Sequence, residues 1–181
     1  GSVLFSLGVL NIVFFKLPLF TAVVGRANIY VGSTLCNTVS KKSIFDLISI
    51  WLDNFIGVLI TVILVNATRL VKLQEKALII IQQKENDTFI SLFILSIFCG
   101  LLMFIATQSG REDKSDINKL VRTIFCIAVF ILIGFEHCVA DMFYFTFTQR
   151  AVTNLIRLII ISIGNGIGAN VIPIVERSLN K

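Results

Sequence analysis

Histidine and tryptophan each occur once in this chain of 181 residues, proline, tyrosine and methionine twice each, and charged side chains make up only 15%. That shortage of charge excludes a soluble globular domain. At 56% apolar residues and a mean hydropathy of +0.90, the chain carries more apolar surface than a core of this length can bury, whereas a bilayer accepts it. A basic stripe or tail is also missing. The net charge of +5 is spread through the gaps between apolar runs, where anionic headgroups attract it, so no nucleic-acid partner is expected and the lipid bilayer is. The four cysteines, Cys36, Cys99, Cys126 and Cys138, form no C-x-x-C pair, and they read as free thiols packing as small hydrophobes. His-Glu-x-x-His is absent, which counts against an intramembrane zinc protease using Glu136 and His137. His137 and Cys138 are neighbours, and adjacent residues on a helix point in different directions, so no metal site is expected from them. No cofactor and no enzymatic activity are expected. The opening GSVLFSLGVL lacks the basic n-region of a secretory signal.

What remains is a series of five hydrophobic stretches, each near the roughly 20 residues that cross a bilayer as a helix. They cover 3–39, 44–66, 88–107, 119–148 and 155–175, and the whole chain 1–181 reads as one transmembrane domain. Residues 67–88 form a polar, charged interval with a short apolar island, Ala77–Ile81. An odd number of spans places the termini on opposite sides. The Lys and Arg residues lean slightly towards a cytoplasmic C-terminus.

Two spans are interrupted. The first carries Lys16 and Pro18 in "FFKLPLFT", and a proline inside a helix removes a backbone hydrogen bond. The fourth carries Gly134 followed by Glu136 and His137. Each break reads either as a plain kink or as irregular backbone lining a cavity, the setting in which such backbone is tolerated at membrane depth. An internal echo favours the cavity. "DNFIGVLI" (Asp53–Ile60) follows the first break and "GNGIGANVI" (Gly164–Ile172) follows the second, so Asn-x-Ile-Gly occurs at Asn54–Gly57 and again at Asn165–Gly168. Thr21 precedes Asn54 by 33 residues and His137 precedes Asn165 by 28, which pairs Thr21 with His137. Paired interrupted spans at corresponding positions point to a transport site between repeats.

A broken span leaves helix-end N–H groups that suit an anion, and a histidine beside it can hydrogen-bond an anion or titrate near neutral pH. The bulky Phe5, Phe20, Phe130 and Phe135 could make dry constrictions, which a neutral acid passes more easily than a bare anion. The other reading of His137 is a structural histidine that ties helices together. Glu136 is expected to cap or brace the broken backbone.

The motif "GFEHCVADMF" closely resembles the signature of the formate/nitrite transporter family, G-[FY]-E-H-[SC]-[IV]-A-[ND]-M-[FY]. "LFT" at Leu19–Thr21 is similar to the loop that interrupts that family's second span, and "DNFIG" and "IGNGIG" to its third- and sixth-span motifs. The resemblance covers nearly the whole chain. It implies an all-α polytopic membrane protein with an aquaporin-like inverted repeat and two broken helices, the first of the usual six spans being absent here and expected before Gly1. It further implies a homopentamer in the cell membrane, each protomer a channel or transporter for small monovalent anions or their conjugate acids, formate first, with nitrite or hydrosulfide as alternatives. By the same resemblance His137 matches the central pore histidine, Thr21 the threonine that hydrogen-bonds it, Asn165 the last-span asparagine and Lys84 a vestibule lysine that draws anions in. Leu19 and Phe20 match the inner constriction, and Phe5, Val9, Phe130 and Ala140 the outer one. Departures are Pro18 where an acid usually stands, the added Lys16, Gly100 in place of an asparagine, and Asp141 in place of the asparagine after the histidine. A non-conducting, truncated structural subunit of the same fold is the alternative.

Overall fold

In a computed structural model of the chain, residues 2–15, 17–24, 41–109 and 115–179 are described. Lys16, Cys36 and the stretch 25–39 lie outside them, as does the side chain of Phe5. The elements are α1 (Ser2–Phe14), α2 (Lys41–Asn66), a 3₁₀ turn (Arg69–Leu73), α3 (Gln74–Asn86), α4 (Phe89–Phe104), a π-type turn (Ile105–Ser109), α5 (Asp116–Ile133), α6 (Cys138–Phe147) and α7 (Leu155–Leu179), with a short helical stretch over 20–24. No strand occurs among the described residues. Phe45–Asn66, Phe89–Thr107 and Leu155–Glu176 are each long and apolar enough to cross a membrane, and α5 with α6 makes a further span bent by 52°.

Local sequence explains the boundaries. Thr88 caps α4 by accepting the Ser91 N–H at 3.1 Å, and Ser115 caps α5 by accepting that of Asn118. This Ser-Asp start places α5 three residues ahead of the expected 119. Gly134 ends α5 at φ +80°, the left-handed conformation that costs a glycine least, and the Gly134 and Phe135 N–H groups both return to the Phe130 carbonyl.

The polar interval 67–88 folds as a helix. α3 buries Ala77 and Ile81, the latter against Leu92, Met142 and Phe145, and turns Lys84 towards α6. Glu85 fixes its end to the turn between the last two spans. It accepts from Asn154 at 2.8 Å and from Arg150 at 2.6 Å, while its carbonyl accepts from Arg157 at 2.7 Å. The Asn154 hydrogen bond, with the Arg150 guanidinium, lowers the Glu85 carboxyl below its ordinary value. This anchorage is therefore present above the ordinary carboxylate range and fades as the pH falls through the lowered value.

α4 and α7 are the most extensive helix pair. Ser96 and Gly100 of α4 face Gly164 and Gly168 of α7, and small residues at that spacing let two backbones approach closely. A Cβ at Gly168 would overlap the Ile97 carbonyl, and one at Gly100 the carbonyl of Asn165. Gly57, the matching glycine of the first repeat motif, meets nothing within 4 Å among the described residues.

Candidate functional site

The site is built on the two breaks, and the two repeated asparagines hold them in the same way. Asn165 on α7 is fully buried. Its Oδ1 accepts the Cys138 N–H at 2.8 Å, and its Nδ2 donates to the Glu136 and Ser96 carbonyls, both at 2.8 Å. Asn54 on α2 does the equivalent at the first break, accepting the Phe20 N–H at 3.1 Å and donating to the Pro18 carbonyl at 3.3 Å. Each asparagine clips the peptide groups on either side of one residue: His137 at the second break, Leu19 at the first. The structural counterpart of His137 is therefore Leu19, two residues from Thr21. Unpaired backbone is costly in a bilayer, and a side-chain amide supplies one donor and one acceptor where the helix withdraws its own.

His137 sits at the start of α6. Its Nδ1 accepts the Ala140 N–H at 3.3 Å, so it is an N-cap and that nitrogen carries a lone pair. Nε2 then bears the proton of the neutral ring and donates to the Thr21 hydroxyl at 3.3 Å. Thr21 and His137 are 116 residues apart and both buried, so this bond joins the two halves of the chain at their breaks. The Phe130 ring lies tilted against the imidazole, with centroids 5.9 Å apart.

Two cavities share His137, Ala140 and Tyr144. One, of about 510 Å³, is lined by Val9, Ile12, Leu19, Val58, Met103 and Phe143. The other, of about 440 Å³, is lined by Phe130, Phe135, Glu136 and Asp141 with Lys84, Gln83 and Asp87 of α3. Leu19, Val9, Phe130 and Ala140 thus line cavities that meet at the histidine. Phe20 lines neither of them. Its ring packs against the cluster of Ile81, Leu92, Cys138 and Met142, because the helical stretch 20–24 begins there and turns it inward. Asn165 lines neither cavity and is used up on backbone.

Lys84 is engaged by two carboxylates. Its ammonium donates to Glu136 and stands 2.9 Å from Asp141. Burial alone would lower its pKa, but Asp141 and Glu136 outweigh burial and raise it above its ordinary value. The ion pairing is therefore complete below the ordinary lysine value and is lost only as the pH rises through the raised one. With both carboxylates ionised, the field that Lys84 casts on an incoming anion is more than offset. Glu136 spends its side chain on Lys84, and the bracing expected of it is done by Asn165.

Residues 1–176 match the model of the family described as Formate/nitrite transporter. The chain belongs to the formate/nitrite transporter family. Among curated relatives, it is 31% identical over 148 residues to the formate channel FocA of Haemophilus influenzae and 26% identical over 152 residues to FocA of Escherichia coli. In both cases 79% of this chain is matched, and it spans about half, 51%, of the relative's length. A solved structure described as a pentameric formate channel with formate bound superposes with a TM-score of 0.79 at 25% identity, covering 98% of this chain and 80% of that one. The fold is that of the formate/nitrite transporter family, and the chain is a multi-pass membrane protein.

Two further residues, Asn54 and Asp141, belong to the site. The repeated Asn-x-Ile-Gly signals Asn54. Asp141 stands one helical turn beyond His137, a spacing that puts it on the same face.

Proposed function

We propose that this chain forms a pore for small monovalent anions or their conjugate acids, formate first and nitrite or hydrosulfide next, in a homopentamer in the cell membrane. The observation that carries the proposal is the single His137 at the junction of two cavities, capped on one nitrogen and donating from the other. Support comes also from the family, and from the names of the relatives, which are formate channels.

The apolar walls around Val9, Leu19 and Phe130 hold a charged species poorly and a neutral acid well. At the junction a substrate oxygen replaces the Thr21 hydroxyl as the acceptor of Nε2–H. Asn165 holds the break in shape and Thr21 orients the ring. Protonating Nδ1 would set a donor against the Ala140 N–H, so the cap favours a hydrogen-bonding histidine over one that passes a proton.

Formate uptake into proteoliposomes at neutral pH tests this reading. Saturable or channel-like uptake above that of empty liposomes is the expected result. Uptake of none of formate, nitrite and hydrosulfide by folded protein would favour the non-conducting structural subunit.

A further inference from the structure

We propose that Glu136 and Asp141 hold one proton between them beside Lys84, and that this pair is the proton donor to an anion arriving at the His137 junction. The second half of the proposal rests on the transport reading above; the first half stands without it.

Asp141 is 1% exposed, and only one of its oxygens is accounted for: Oδ1 meets Lys84, whereas Oδ2 is buried and receives no hydrogen bond. Glu136, also buried, meets the same Lys84 ammonium, so the two carboxyls are gathered on one cation. Two carboxylates gathered on one ammonium repel each other unless one carries a proton. A proton on the pair also supplies the donor that no described side chain gives Oδ2.

Charge leads to the same place. Ionised together, two carboxylates against a single ammonium leave an uncompensated negative charge in a site walled by Leu95, Ile131 and Phe135, and one bound proton removes it. Among the described residues, the groups facing the pair from the packed elements do not supply a second cation. From α3 come Lys84, Gln83 and Asp87, the last another negative charge. α6 contributes His137, held neutral by its cap, and the Tyr144 hydroxyl, and the thiols of Cys99 and Cys138 complete the set.

The pair lines the same cavity as His137, so an anion hydrogen-bonded there comes within reach of the proton. In the step, the O–H bond on the pair breaks and an O–H bond forms on a formate oxygen. Formic acid moves on into the apolar cavity as a neutral molecule. The pair is left with both carboxylates ionised beside Lys84, and takes a proton back from water.

Infrared spectroscopy of the purified protein at pH 7, in a detergent free of ester groups, tests the stored proton. The wild type is expected to show the C=O stretch of a protonated carboxylic acid, shifting on exchange into deuterium oxide. Asp141→Asn and Glu136→Gln should each lose the band, because a single carboxylate beside Lys84 ionises. Both substitutions are isosteric, and Glu136→Gln stands in should Asp141→Asn not fold. No such band in the wild type, or the same band surviving in both variants, would overturn the proposal. In proteoliposomes the variants should take up formate several-fold more slowly than wild type at neutral pH, with the deficit closing at acid pH, where bulk water supplies formic acid. A band in a wild type that conducts nothing would sink the transport reading and leave the shared proton standing, whereas conduction without a band would sink the shared proton.

Discussion

Asn165→Leu is expected to leave the protein unable to hold its second break, with loss of most of the folded material in size-exclusion chromatography. The asparagine serves the Cys138 N–H and the Glu136 and Ser96 carbonyls, all buried. Leucine is close in volume but offers no polar atom, so three backbone groups lose their partner where no water replaces it. Each unsatisfied group costs about 1–3 kcal/mol, and the sum is a large share of the roughly 5–15 kcal/mol that holds a typical domain together. Asn165→Asp keeps the acceptor for Cys138 but loses both donors, and should fall between. Asn54→Leu should be milder, since that residue makes two longer bonds, at 3.1 and 3.3 Å, in a more exposed place. Equal melting temperatures for Asn165→Leu and wild type would show that the break is held by something else.

His137→Asn is expected to fold normally and to reduce formate uptake about tenfold or more, a loss equivalent to ~1.4 kcal/mol in the barrier. Asparagine is among the strongest N-caps, so the start of α6 survives the exchange. Its shorter side chain withdraws the Nε2–H that Thr21 now receives and that a substrate oxygen would take. Lys84 will not contribute to the pH profile. The ordinary lysine value is about 10.4 and its carboxylate partners raise this one further, so it stays charged throughout pH 5–8. Any change of uptake in that window belongs to the Glu136–Asp141 pair or the substrate itself. Uptake by His137→Asn at the wild-type rate across the whole range would remove the histidine from the pore.

Much of this architecture is legible in the chain. Apolar runs mark the spans, Pro18 and Gly134 mark the interruptions, and the repeated Asn-x-Ile-Gly marks the helices that repair them. The register between the halves is not legible. An asparagine that clips backbone peptides places no demand on the residue between them, so the pairing of Leu19 with His137 leaves no trace in residue type, and spacing alone selects Thr21. The ionic cluster is hidden for another reason. Lys84 meets Asp141 only because 74–86 folds back as a helix, and the two inward residues of that helix, Ala77 and Ile81, are too few to stand out from a charged interval. Phe20 shows the limit of reading aromatic residues as constrictions, since its direction is set by where the helical stretch 20–24 begins.

Ions or acids that pass the break at His137 also pass Ala140, which lies on the wall of both cavities that meet there. The measurement is formate uptake by Ala140→Cys proteoliposomes before and after labelling with a small charged methanethiosulfonate, with labelling quantified by mass spectrometry and wild type treated in parallel. Cys99 and Cys138 are buried and Cys126 is half-buried, so the wild type treated in parallel measures any effect of labelling at the native thiols. Labelled Ala140→Cys is expected to lose its uptake, and formate present during the reaction should slow the labelling. Full labelling with undiminished uptake would mean that the path runs elsewhere.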